Sequence, residues 1–203
     1  MKSKLYFGDL PDNLILEGDI AIDTETMGLN LHRDRLCVVQ LSNGDGIAHL
    51  VKFRDQDYSA PNLKKILIDK STVKIFHFAR FDVAAIKKYL DINVENIFCT
   101  KISSKLVRTY TEYHGLKDLC RDLLGIQLSK QYQQTYWGNE ELTQEQIDYA
   151  GSDVHHLHRL REILTKMLLN ENKMWFAENM FKFLPVRVEL DLAGWNEIDL
   201  FAH

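Results

Sequence analysis

The chain has 203 residues, 45% of them hydrophobic and 27% charged, and no run of 18 or more apolar residues, which excludes a helical membrane span and fits one sizeable globular domain. Three cysteines (Cys37, Cys99 and Cys120), odd in number and far apart, exclude a disulfide framework or a zinc motif and read as reduced core thiols of a cytoplasmic protein. The net charge of -4 divides unevenly: residues 1–60 hold 6 Lys+Arg against 10 Asp+Glu, residues 61–130 hold 13 against 7, and residues 131–203 hold 6 against 12, so a basic face on an acidic protein is permitted.

The N-terminus, "MKSKLYFGDLPDN", lacks the apolar stretch of a signal peptide. The first strand expected is "DIAIDTE" (19–25), where a buried apolar run turns acidic. Asp23 and Glu25 leave a period-2 strand on the same face, an arrangement that repels itself unless something lies between them. Strands at 36–42 and 46–53 follow, joined by Asn43-Gly44-Asp45, whose turn chemistry predicts a hairpin. Pro61 suits the first turn of a helix over 61–69. A strand at 73–77, a helix from about 80 to 90 and a strand at 96–100 come next. After Thr100 the pattern is helical almost to the end. Thr143-Gln144-Glu145-Gln146 has capping-box spacing, and apolar periodicity runs from Ile147 past Leu168 as though in one helix. Hairpin strands, then alternating α and β, then helices predict an α/β fold: an RNase H-like mixed sheet flanked by helices, as a single domain over 1–203.

Two further acids belong with Asp23 and Glu25. Asp82 falls near a helix start, where the dipole favours a carboxylate. Asp153 lies four residues after Tyr149, so phenol and carboxylate share a helix face. Acid-x-acid spacing alone is common here, recurring at Glu17/Asp19, Asp55/Asp57, Glu189/Asp191 and Glu197/Asp199. The apolar lead-in separates Asp23/Glu25 from these. Four converging carboxylates call for cations, and hard oxygen donors favour Mg²⁺ or Mn²⁺. Two such ions about 4 Å apart can activate a water and stabilise the leaving oxygen of a phosphodiester.

Asp23/Glu25, Asp82 and Tyr149-x-x-x-Asp153 resemble, in order and separation, the three motifs of the DEDD 3′→5′ exonucleases of the tyrosine subclass. The histidine of the sister subclass is replaced here by Asp148. "GLKDLCRDLLGIQLSKQYQQTYW" and "LTQEQIDYAGSDV" are similar to ribonuclease D, and the resemblance covers about 19–165. It implies an RNase H-like fold and metal-dependent trimming of RNA 3′ ends, with DNA as an alternative substrate and a catalytically silent nucleic-acid-binding module as the other alternative. By the family pattern Asp23, Glu25 and Asp153 hold one metal, Asp23 bridges to a second that Asp82 assists, and Tyr149 orients the attacking water. Substrate contacts are expected from Thr26, Met27, His77 and Phe81. The chain departs from the pattern at Phe78, where Asn is usual, and at Tyr136, where Asp is common. Residues 166–203 leave room for a helix and a tail but not for the helical nucleic-acid-binding domains of ribonuclease D, so grip is expected from the catalytic domain, a partner or a homo-oligomer.

Other features carry two readings each. His155, His156 and His158 read as helix surface or packing rather than a metal set. Tyr132, Tyr136 and Trp137, interleaved with Lys130, suit either core burial or base stacking. Lys101, Lys105 and Arg108 form a helical stripe, either solvated or tracking a phosphate backbone. The C-terminal "LPVRVELDLAGWNEIDLFAH", with Trp195 and Phe201, alternates weakly and either docks on the domain or pairs with another chain.

Overall fold

A computed structural model describes residues 2–54, 57–128, 135–200 and 202. Among the described residues, six strands form one mixed sheet in the order β1-β4-β3-β2-β5-β6. They are β1 (Lys2–Phe7), β2 (Ile20–Thr26), β3 (Leu36–Ser42), β4 (Ile47–Lys52), β5 (Lys74–Phe76) and β6 (Ile97–Cys99). β2, β3 and β4 are antiparallel neighbours, whereas β5 and β6 extend the sheet parallel to β2 and β1 lies parallel to β4. The helices are α1 (Pro61–Ile68), α2 (Ala79–Leu90), α3 (Thr100–Val107), α4 (Leu116–Leu119), α5 (Gln144–His155), α6 (Leu157–Asn170) and α7 (Met174–Leu190). The fold is the RNase H-like mixed sheet with flanking helices that the order of elements predicts.

β2 lies inside the sheet, and Ile20, Ala21 and Ile22 are at most 1% exposed. That burial is why its lead-in is uniformly apolar. The hairpin turn places Gly44 and Gly46 at φ 87° and 89°, a region glycine enters without a Cβ penalty. A bulge between Glu25 and Thr26 shifts the β2–β3 register at the end of the acidic stretch. The three cysteines are free and buried.

Three expectations need correction. β1 is a strand the sequence pattern does not announce: it is an edge strand, half-exposed, with no clean alternation to read. The helix expected from 147 past 168 is two helices, broken at His156 (φ −98°, ψ −6°). α5 packs on β2, β3 and β4 while α6 packs on α3, β5 and α7, so the break turns the chain from one set of neighbours to another. The stretch after Thr100 is also less helical than expected: the described residues of 125–143 contain no helix, and α4 widens into a π turn over Cys120–Leu124. The capping box stands as read, with Thr143 Oγ1 accepting from Gln146 N and Gln146 Oε1 accepting from Thr143 N.

The C-terminal segment read as weak alternation is in fact the end of α7 and a turn over Asp191–Trp195. Arg80 and Arg187 hold it down, donating to the carbonyls of Trp195, Asn196 and Ile198 and pairing with Asp191. Phe201, Asp55, Lys130 and Tyr132 lie outside the described residues. Among the described residues, no helix is long and apolar enough to cross a membrane.

Candidate active site

The acids converge because the central strand and two helices end at one place. Strand alternation sends Asp23 and Glu25 to one face of β2, where Asp153 of α5 meets them. These three offer carboxylate oxygens that all lie within 4.8 Å of one another. Thr24, between them, faces the other way and donates its hydroxyl to Asp82 Oδ1 at 2.7 Å. Asp82 stands in the first turn of α2 and is 3% exposed. Tyr149, one turn before Asp153 on α5, shares that helix face, and its hydroxyl lies near enough to the Asp153 carboxylate for the two to shift each other's proton affinity. All five side chains line a single cleft of about 690 Å³.

Crowding raises the proton affinity of the whole group. Burial pushes Asp23 up to about 7. Burial and then the charge of Asp23 raise Glu25, Asp82 and Asp153 well above the ordinary carboxylate range. Burial, then Asp153 and Glu25, push the Tyr149 phenol far above its usual value, so it stays protonated and acts as a donor. Carboxylates held this way need a positive charge among them to ionise together at neutral pH. A divalent cation fits: every donor is a hard oxygen, and three converge on one point.

Comparison with known proteins agrees with this geometry. The family described as 3'-5' exonuclease matches residues 9–169, the span that carries all five side chains. The chain belongs to the 3'-5' exonuclease family. It is 30% identical over 162 residues to ribonuclease D of Granulibacter bethesdensis, covering 79% of this chain but 40% of that protein, so it spans about two-fifths of this curated relative. Several solved structures match along the whole chain, two of them as follows. Brucella melitensis NrnC bound to pGG is 50% identical with a TM-score of 0.96, covering 100% of this chain and 99% of that one. The same nuclease with bound Mg²⁺ is 49% identical with a TM-score of 0.95, covering 100% of both.

The same cleft gathers the other side chains expected in this exonuclease. Thr26, Met27, His77 and Phe81 line it. The Thr26 hydroxyl is spent on the Gly28 carbonyl. Burial, then the charge of Lys101, hold His77 down to about 3, so its imidazole is neutral. Thr100 gives its one proton to the Phe76 carbonyl and sits 2.9 Å from His77 Nδ1. His77 Nδ1 must therefore be the donor, and Nε2 is left as an acceptor. Leu29, 87% exposed, and Lys117 also line the cleft and escaped the sequence reading. An apolar residue placed one past a glycine, straight after the acids, was the available signal for Leu29.

Other candidate residues turn out to be structural. Arg108 is 1% exposed and donates to Asp122 and to the Tyr113 carbonyl, so it is neither solvated nor free to meet a phosphate. His158 reaches the Asp19 carbonyl, and His155 packs edge-on against His156. Tyr136 is 54% exposed, whereas Trp137 is 2% exposed, its ring 6.2 Å from that of Tyr149.

The segment beside Tyr149 is fastened by side chains that sequence reasoning missed. Gln146 Nε2 donates to the Tyr136 carbonyl at 3.3 Å, Lys52 Nζ to the Trp137 carbonyl at 2.7 Å, and Arg35 Nη2 to the Gly138 carbonyl at 3.3 Å. Three consecutive carbonyls are thus taken by α5, by β4 and by the approach to β3. Lys52 is fully buried, and burial holds its pKa below the usual lysine value. The clamp fixes Trp137 against Tyr149.

Proposed function

We infer that this chain is a metal-dependent 3′→5′ exoribonuclease that removes nucleotides from RNA 3′ ends. The observation that carries the reading is the group Asp23, Glu25 and Asp153, with oxygens inside 4.8 Å, joined in one cleft by Asp82 and Tyr149. Asp23, Glu25 and Asp153 would hold a divalent cation, and Asp23 with Asp82 a second. Mg²⁺ or Mn²⁺ bound there would supply a more acidic attacking water and charge neutralisation at the leaving oxygen. Tyr149, protonated beside Asp153, orients the attacking water through its hydroxyl and does not take its proton. Thr24 keeps Asp82 turned toward the cluster. Neutral His77, with Met27 and Phe81, forms the wall against which the terminal nucleotide rests.

The basic middle third of the chain, from which Lys101 and Lys117 line the cleft, supports a nucleic-acid substrate. Brucella melitensis NrnC binds pGG, so very short guanylate oligonucleotides belong among the substrates tried. Self-association is part of the reading: α7 turns Trp175, Phe176 and Met180 outward at 67%, 52% and 46% exposure, an apolar face that a second copy would cover. Reduced cysteines in the core suit a cytoplasmic enzyme.

The test is a panel of RNA and DNA oligonucleotides, from two nucleotides upward, labelled at the 5′ or the 3′ end. Stepwise release from the 3′ end, dependent on Mg²⁺ or Mn²⁺ and faster on RNA, is expected. Cleavage of a circular substrate, or activity that survives chelation, sinks the reading. Light scattering during size exclusion checks self-association.

A further inference from the structure

Phe78 holds a backbone conformation that aromatic residues seldom keep. Its φ of 66° and ψ of 45° lie in the left-handed region, strained for a bulky L-residue. The ring gives the fold little in exchange. Phe78 precedes α2 without a side-chain capping bond, and the residue is 44% exposed. Lys101 Nζ stands over the ring, 4.0 Å from its centroid. Both residues line the cleft that contains Asp23, Asp82 and Tyr149.

We propose that Phe78 is a base-stacking platform, held by Lys101 on one face and taking on the other the nucleobase of a nucleotide beside the scissile phosphodiester. The inference rests on the nuclease reading above. Every nucleobase presents a π-face, so such a platform adds affinity without demanding one sequence. A cation over one face of a ring is attracted by its quadrupole and fixes the ring's orientation. The ammonium also adds positive charge at the entrance to a cleft otherwise crowded with carboxylates. Asparagine, the residue of the DEDD pattern at this position, tolerates left-handed backbone far better than phenylalanine. The chain therefore keeps a ring where its backbone would favour an amide, which marks the ring itself as the useful part.

This yields opposite signs for stability and for substrate affinity. Parent, Phe78→Asn and Phe78→Trp are compared on a short RNA with Mg²⁺, and on the same RNA made abasic at its 3′-terminal or its penultimate nucleotide. Phe78→Asn should raise Tm by about 2–4 °C through relief of strain. It should also raise KM about fivefold or more on intact RNA, with a smaller change in kcat. On one of the two abasic RNAs the parent should lose its advantage, and Phe78→Trp should restore KM on intact RNA. A parental KM for Phe78→Asn on intact RNA overturns the proposal. So does a KM penalty that persists undiminished on both abasic RNAs, or a fall in Tm that accompanies the loss. A parent that hydrolyses no RNA overturns the nuclease reading first, and the platform with it.

Discussion

Replacing Asp23 by asparagine should abolish turnover and yet make the cation-free protein more stable. Burial pushes the Asp23 carboxyl up to about 7 in the folded chain, against about 4 for an ordinary aspartate in the unfolded one. Above pH 7 its ionisation therefore opposes folding by up to about 4 kcal/mol, at about 1.4 kcal/mol per pH unit of displacement. Asparagine keeps the shape and an oxygen for Gln40 Nε2, which lies 3.5 Å from Asp23 Oδ2. The neighbouring acids share the strain, so a net gain of about 1–3 kcal/mol is expected. The sign with pH follows. The folded state binds this proton more tightly than the unfolded state, so the cost is absent below about pH 4, grows up to about pH 7 and is constant beyond. Urea unfolding in EDTA at about pH 5, 6, 7 and 8 should show the variant's advantage widening with pH. Saturating Mg²⁺ should reverse the order, since the parent gains more from a ligand that binds only the folded state. An Asp23→Asn protein no more stable than its parent at pH 8 without cations, or a difference that ignores pH, would refute the electrostatic account of the cluster.

Tyr149→Phe keeps the ring beside Trp137 but removes the hydroxyl; turnover should fall roughly 10²–10⁴-fold with Mn²⁺-dependent stabilisation unchanged, and a parental rate would reduce Tyr149 to packing. Lys52→Met leaves the buried Trp137 carbonyl without its donor, and an unfolding free energy lower by about 1–3 kcal/mol in urea is expected; an unchanged value means the clamp is idle. Gly28→Ala would place a Cβ 2.4 Å from Asp34 Oδ2, which is held by Asn30 N and Arg33, so the turn carrying Met27 and Leu29 must shift. Activity should drop more than stability, and comparison of kcat/KM with Tm will tell. Thr143→Ala removes one side of the capping box and should cost about 1 kcal/mol in denaturant unfolding, with kcat preserved.

The parts of this molecule that could be read from sequence are those in which side chains carry the signal. Ile20–Ile22 announce a buried strand, Thr143 and Gln146 a helix start, and the acids a cluster that the fold brings together. The parts that escaped have their cause in the backbone or in compensating contacts. The break at His156 is invisible because Gln146, Ala150, Val154, Leu157, Leu160 and Leu164 keep helical spacing across it. The fastening of 136–138 depends on carbonyl groups, which every residue possesses and no residue type advertises. Arg108 reads from sequence as part of a stripe, solvated or tracking a phosphate backbone, because its partners, Asp122 and the Tyr113 carbonyl, come from turns whose position only the fold sets.

The placing of Asp23 and Glu25 on one face of β2, with Thr24 on the other, ties the acidic group to the pairing of that strand. Asp23 faces Gln40 and Glu25 faces Val38, and the bulge after Glu25 pins that alignment. A slip of one residue would turn both acids away from Asp153, toward Asp82 on α2, and bring Thr24 to Asp153 in their place, which disperses the three-carboxylate group. That group is present only in molecules whose central hairpin closed in register. The specific activity of a preparation, measured at saturating cation, thus counts the fraction of chains whose central hairpin closed in register, a titre of correct folding that spectroscopic helix content cannot supply.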